Sequence, residues 1–566
     1  MTSTGTTGDG RRRGALGLYL VCAFIVLTGV SWIVANPPGY APDEPAHYTK
    51  AIGVGHRVWV GPPGAFGIGP GFGPAQLEWI NKATRVIEIQ PNMAPDRLGC
   101  SIFQPQESAA CLDRNAPPPD VVVPRLTYVG TYEPFVYFPA GVAMNRAGDP
   151  ETAMLLGRMV TGSIALALLV MAAAVLWTPG HQGYSLLGLL GATTPMVLFI
   201  ASGLSPSGPE IGAAACVTAV VLRLGRAEPA TRLVWVALAA GGAVLACGRS
   251  LGPFYLLAIV AVFVAQGGPG RAWRVVRGGG WGAAAAVAAT TVGVAANVAW
   301  GLAVQPRPPF DVGKVLAGVG PAVLDVSQVL GHGVGRFGWA DVGMPAPAYV
   351  AWAAVVVALV GVAFAVGRPR QRVVLALAIG GCFAGTVAIA AAVIYPTHFP
   401  MYGRYALPLW IIVPMLAGET IRANLHRLAD VVARRLLVGA TALVAAVHFT
   451  GFYANARRYA VGDDGPLFFL GKSEWSPPGG ETVWVITVGL GALAVLLFGV
   501  VSSGIPSPGS GHGGGALSLQ EVQLSGVGLQ PRRERDGPDH VVARQRPAGH
   551  DVGAVDRHGE HPDPPR

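Results

Sequence analysis

The chain has 566 residues, of which 52% are hydrophobic and only 13% charged, and its mean hydropathy is +0.47. Soluble domains carry about 25% charged residues, so an ordinary soluble enzyme is excluded. The net charge of +9 comes almost wholly from arginine, since Lys50, Lys82, Lys314 and Lys472 are the lysines. Arginine facing anionic lipid accounts for that charge, and no nucleic-acid partner is needed.

Apolar stretches suited to crossing a bilayer, about 20 residues each, recur along the chain. Twelve are expected, at 15–35, 153–177, 183–203, 208–222, 233–248, 251–267, 280–303, 347–367, 373–394, 403–420, 436–454 and 482–504. The first follows Arg11, Arg12 and Arg13. It is longer than the apolar core of a signal peptide, about 7–15 residues, and reads as an uncleaved anchor with the N-terminus inside. Alternation then puts four further arginine clusters on the same side. They are Arg223, Arg226 and Arg232; Arg271, Arg274 and Arg277; Arg368, Arg370 and Arg372; and Arg422, Arg427, Arg434 and Arg435. This is the positive-inside pattern, with Arg457 and Arg458 as a mild exception.

The expected architecture is an all-α integral membrane protein with both termini cytoplasmic. Residues 1–14 form the inner N-terminus, and a polytopic domain covers 15–504. Within it lie a first outer loop at 36–152 and a second large outer loop at 304–346. Residues 505–566 form a tail rich in Gly, Pro, Arg and His, read as disordered and cytoplasmic. Five of the twelve histidines sit in that tail, so histidine count alone does not argue for a metal site. Cys22, Cys216, Cys247 and Cys382 fall in apolar segments and read as buried small side chains. Cys100 and Cys111 fall in the polar first outer loop and are expected to pair. No zinc-type CxxC spacing occurs.

The polar residues that interrupt this pattern gather at the outer ends of the spans. "NPPGYAPDEPAHYTKA" follows the first span. A helix is expected to start there, with Asp43 as N-cap and Pro45 in its first turn. Asp43 and His47 then share a face, while Glu44 points about 100° away. The two carboxylates are therefore expected to take different roles, one accepting a proton, the other holding a cation or orienting an arginine. The plainer reading is a cap, a dipole partner and a surface histidine. "TYEPFVYFPAG" precedes the second span and reads as an interfacial aromatic belt. Glu210 opens the fourth span and is expected to be solvated or paired with Arg158 or Arg249. Arg336 and Asp341 flank a tryptophan in "GRFGWADVGMP", and Arg404 lies between Tyr402 and Tyr405 in "YGRYALP". Arginine binds phosphate bidentately, and at this depth it suits a lipid phosphate. Its plainer role is a snorkelling anchor. One-sided polarity fits an interfacial active site better than the midplane site of a transporter.

These motifs together resemble the GT-C glycosyltransferases, multispanning enzymes that take sugars from polyprenyl-phosphate carriers. "PDEPAH", "YEPFVYFPA", "TPMVLF…SPSGPEI", "RSLGP", "FGWADVGMP" and "GRYALP" occur in the order seen in an uncharacterised bacterial membrane-protein family assigned to that superfamily. The chain departs from that pattern at Glu133, where a proline pair is usual, and in the tail after 505. The resemblance implies a glycosyltransferase that moves a sugar from a polyprenyl-phosphate lipid to a cell-envelope glycan acceptor on the outer face. It implies Asp43 as general base, with Glu44 and His47 orienting it or holding a divalent cation. It also implies donor binding by Arg404, Tyr405, Arg249, Glu210, Arg336, Asp341 and Tyr137. The alternatives are a transporter or flippase of lipid-linked sugars, or a non-catalytic envelope assembly protein.

Overall fold

A computed structural model describes residues 5–504 apart from 68–72, 96–97, 115–119, 180–182 and 308–310. The tail at 505–566 lies outside the described residues. Almost everything described is helix. An opening helix α1 (Gly5–Ala35) is followed by α2 (Glu44–Gly55) and α3 (Pro74–Ala83). A two-stranded ribbon comes next, β1 (Arg85–Ile89) against β2 (Val123–Thr127), antiparallel, with Arg85 opposite Thr127. After α4 (Tyr137–Met144) the bundle proper begins with α5 (Pro150–Leu176), α6 (Tyr184–Ala192), α7 (Pro195–Ser202), α8 (Ser207–Leu224) and α9 (Arg232–Gly248). It continues through α10 (Gly252–Gly267), α11 (Pro269–Gly278), α12 (Gly280–Ala303) and α13 (Val312–Gly335). A small hairpin, β3 (Arg336–Phe337) with β4 (Val342–Gly343), precedes α14 (Ala346–Val366) and α15 (Pro369–Ile389). The chain ends with α16 (Gly403–Trp410), α17 (Ile412–Ala423), α18 (Asp430–Val461) and α19 (Glu481–Ser503).

By length and apolar composition, ten of these helices can cross a membrane, or up to twelve if each bent pair is one span. The bent pairs are α6–α7, at 64°, and α10–α11, at 103°. The first break has a local cause: Pro195 cannot donate to a helical carbonyl, and the Thr194 side chain caps the amide of Val197 at 3.1 Å, starting a new helix. In lipid every backbone group must be satisfied internally, which only helix provides here. The chain is therefore a multi-pass membrane protein.

The fifth expected span, 233–248, is α9, 17 residues long. One element differs from the sequence expectation: the segment read as the second outer loop contains the 24-residue helix α13. Ala322, Val326, Val329 and Gly333 form its buried face, spaced to recur every turn, while Leu316 and Leu324 are exposed. Its two flanks attach to the same end of the bundle. Before it, Ser250 Oγ donates to Gln305 (2.9 Å); after it, Trp339 Nε1 donates to the Gly39 carbonyl (3.3 Å). The flanks of α13 thus attach to one end of the bundle, while its length and apolar content match those of the candidate spans.

The segment 36–152 packs on this same end. Lys50 is buried and gives its ammonium to the carbonyls of Trp59 (2.6 Å) and Gly130 (2.7 Å). Helices α2 and α4 cross very closely: a Cβ on Gly141 would stand 2.0 Å from the Ala51 carbonyl oxygen, so only glycine fits. Cys100 and Cys111 are disulfide-bonded, as expected. The loop they close is held to α18 by buried Arg458, which donates to the carbonyls of Glu107 (2.6 Å), Gln104 (2.8 Å) and Ser101 (3.2 Å). At the opposite end, Glu419 is gripped by Arg226 (2.8 Å) and Arg422 (2.7 Å). Two arginines of the inner-loop pattern therefore neutralise a buried carboxylate instead of facing lipid.

Candidate functional site

Asp43 occupies the N-cap position of α2, but it does not cap. Its φ is +62°, left-handed, and its side chain makes no cap hydrogen bond. For a non-glycine residue that conformation is strained and has to be held by its surroundings. The carboxylate turns instead to Arg404 Nη2 (2.7 Å) and accepts from the Tyr128 hydroxyl (2.9 Å). Tyr128 is placed there by the ribbon. It directly follows β2, and Thr127 at the end of that strand donates to the Ala46 carbonyl of α2 (2.8 Å). Arg404 arrives from the other direction, as the second residue of α16.

Glu44, the neighbouring carboxylate, points away and is fully enclosed. One oxygen accepts from Arg158 Nε (2.7 Å) and the Leu204 amide (2.9 Å); the other accepts from Arg158 Nη2 (2.5 Å) and the amides of Gly39 (3.0 Å) and Ala41 (3.3 Å). The 100° separation expected on the helix is realised, and of the roles envisaged for the second carboxylate Glu44 takes that of orienting an arginine. That arginine is Arg158, so Glu210 is left with Arg249.

Asp43 and His47 line one small cavity, with Tyr132, Ser205, Ser207, Arg249 and Arg404. Arg249 sits at the junction of α9 and α10, donating to Ser207 Oγ (2.8 Å) and lying 3.9 Å from buried Glu210. Its guanidinium stacks on Tyr132 (5.6 Å) and Tyr405 (5.5 Å). Arg404 stacks on the same Tyr405 ring (5.0 Å) and on Tyr402 (5.1 Å). Two guanidiniums are thus fixed around one aromatic ring, with one carboxylate between them and solvent. A second small cavity adjoins the first through Pro42 and Arg404, which line both. Arg336 and His332 line it, and Asp341 does not. The Asp341 carboxylate accepts from the Trp339 amide (2.9 Å) and shapes the hairpin. Tyr137 stands behind His47, hydroxyl to Nδ1 at 2.6 Å.

These surroundings set the protonation states. Burial alone would raise the Asp43 carboxyl, but the Arg404 guanidinium, His47 and the Tyr128 hydroxyl hold it below its ordinary value. Burial pulls His47 down to about 4, against the attraction of Asp43. At neutral pH the cavity therefore holds a carboxylate, a neutral imidazole and two guanidiniums, a set suited to an anion and to accepting one proton. Among the described residues, no group of three His, Cys, Asp or Glu side chains is placed to share a metal ion. The oxygens of Glu44 are taken by Arg158 and three amides, and His47 Nδ1 by Tyr137. These two residues do not fit the cation site envisaged for them.

Sequence reasoning did not single out Tyr128, Tyr132, Ser205, Ser207 or His332. The motif around Tyr132 was visible, but its likeness to an interfacial belt hid the ring on which Arg249 rests.

The profile of the family described as "Predicted membrane protein (DUF2142)" matches residues 25–413. No curated protein matches the chain at a significant level. Among solved structures, it is similar to ArnT from Cupriavidus metallidurans in the apo state, with 16% identity, a TM-score of 0.36, and 86% of this chain and 75% of that chain covered. It is likewise similar to the same protein bound to undecaprenyl phosphate, with 15% identity, a TM-score of 0.38, and 86% and 76% covered.

Proposed function

The chain belongs to the family of predicted membrane proteins designated DUF2142. We propose that it is a membrane glycosyltransferase of GT-C type, moving a sugar from a polyprenyl-phosphate lipid to a cell-envelope hydroxyl acceptor. The observation that carries this reading is the pairing of one ionised carboxylate with two guanidiniums in a single cavity at one end of a helical bundle. The motif resemblance and the arginine distribution support placing that end on the outer face, with both termini cytoplasmic.

In this reading Asp43 takes the proton from the acceptor hydroxyl. The acceptor oxygen forms its bond to the anomeric carbon, with inversion, as the bond from that carbon to the phosphate oxygen breaks. The phosphate leaves carrying the negative charge, and Arg404 stabilises it. Only Nη2 of Arg404 is engaged, by Asp43 and by the Tyr405 hydroxyl (3.0 Å). Its Nε and Nη1 make no hydrogen bond among the described residues, so the phosphate need not displace Asp43. Arg249 adds positive potential across the Tyr405 ring. The test is turnover of polyprenyl-phosphate sugars by the purified protein in lipid, comparing wild type with Asp43→Asn. Transfer that falls by roughly a hundredfold or more, the scale of losing a general base, supports the assignment. Equal transfer by both removes Asp43 from the chemistry.

A further inference from the structure

Inverting transfer puts the attacking oxygen and the leaving phosphate on opposite faces of the anomeric carbon. The structure has two cavities that meet at Arg404 and Pro42, and their linings differ in charge. The first contains the Asp43 carboxylate beside the guanidiniums of Arg249 and Arg404, with the hydroxyls of Ser205 and Ser207. The second contains no carboxylate, only Arg336, Arg404 and His332 as polar side chains beside Tyr402. An anion therefore meets a like charge among the cations of the first cavity and only cations and neutral donors in the second.

We infer that the second cavity, between Arg336 and Arg404, is the seat of the carrier's phosphate, and that the first is the acceptor chamber. This deepens the glycosyltransferase reading and rests on it.

Three features of the second cavity support the division. Arg336 commits only its Nε, which donates to the Ala340 carbonyl (2.8 Å); its terminal nitrogens make no hydrogen bond among the described residues. His332 Nδ1 is buried without a partner among those residues. A phosphate oxygen would satisfy both groups. Met196 supplies an apolar wall beside them, suited to the first isoprene unit. Arg404 then bridges the two chambers, with Nη2 on the base and its remaining nitrogens on the leaving group. The anomeric carbon lies beside it, with attack from the Asp43 side and departure to the Arg336 side.

The test is binding of a long-chain polyprenyl monophosphate, the sugar-free carrier, to the full-length protein in lipid nanodiscs. Arg336→Gln is expected to weaken binding by about 10- to 100-fold, the loss of one charge-assisted contact pair. Arg249→Gln is expected to weaken it by only about threefold, because Arg249 acts on the phosphate across the Tyr405 ring and not by direct contact. Arg336→Lys, which keeps the charge without the bidentate fork, is expected to fall between. Each variant is compared at matched thermal unfolding, so that a misfolded sample is not scored. Binding lost in Arg249→Gln but retained in Arg336→Gln, or lost equally in both, overturns the division while leaving the glycosyltransferase reading intact. Wild-type protein that binds no carrier, or binds inorganic phosphate as tightly, overturns both.

Discussion

Changing Glu44 to Gln keeps the shape of the side chain and removes its charge. In the folded protein Arg158 then keeps one neutral acceptor, the Gln oxygen, beside the carbonyls of Asn36 and Pro37, while the new NH2 group faces the donors of Arg158, Gly39 and Ala41 and the buried guanidinium loses its counter-charge. Breaking a buried pair by removing one partner costs about 3–5 kcal/mol. Since two carbonyls still face Arg158, the lower end applies, about 3 kcal/mol, or roughly two decades in the folding equilibrium. Arg158→Met is expected to cost as much, because it strands the carboxylate. The double variant is expected to cost less than the sum by at least about 1 kcal/mol, since neither charge is then left alone. Unfolding in mild detergent with increasing denaturant measures all three. Sugar transfer, normalised to folded protein, is expected to fall only modestly in Glu44→Gln. If Glu44→Gln unfolds like wild type while transfer disappears, Glu44 is a reacting group and the separation of roles between the two carboxylates is wrong.

Other consequences are equally direct. His47 has an ordinary value of 6.5 and is pulled down to about 4 by burial, so the unfolded chain takes up a proton well before the folded one. Its contribution to stability is therefore complete above pH 6.5 and is lost as pH falls toward 4, by an amount on the order of 3 kcal/mol. His47→Gln is expected to make the stability profile less steep between those limits, and an unchanged slope would show that His47 is not a titrating group there. Alkylation of unfolded, unreduced protein is expected to label Cys22, Cys216, Cys247 and Cys382 alone, with Cys100 and Cys111 reacting only after reduction. Labelling at all six positions before reduction would refute the pairing.

Membrane character was legible because it rests on composition summed over long windows, which no single side chain can alter. The fate of α13 was not. Lys314, Pro321, Asp325 and His332 dilute its apolar content, to a mean hydropathy of 1.2 over its best window against 2.3 for the first span, so its signal is weak rather than absent. The role of Arg226 and Arg422 was hidden for a different reason. An arginine at the inner end of a span has the same sequence signature whether it meets lipid or a carboxylate, and Glu419 lies some 190 residues from Arg226. In the site, helical periodicity sufficed to separate Asp43 from Glu44 because they share one short element. The side-chain partners of each come from residues 85 to 361 positions away, beyond the reach of any local rule.

The backbone at Asp43 offers a sharper test of what its carboxylate is for. A capping aspartate takes an extended backbone and gives its oxygen to an amide in the first turn. Asp43 does neither, and its left-handed φ of +62° costs about 1 kcal/mol, the lower end for an L-residue, since aspartate is among the side chains that tolerate it. A glycine in that position carries no such cost. Asp43→Gly thus removes strain while giving up the ion pair to Arg404, which is partly exposed and worth about 1 kcal/mol. The two nearly offset, so stability is expected to stay within about 1 kcal/mol of wild type, in contrast to the loss at Glu44 next door. Transfer is expected to vanish. A variant as unstable as Glu44→Gln would mean that the carboxylate holds the fold together. An inactive protein of normal stability would mean that the fold holds the carboxylate, in a conformation that stability alone does not favour.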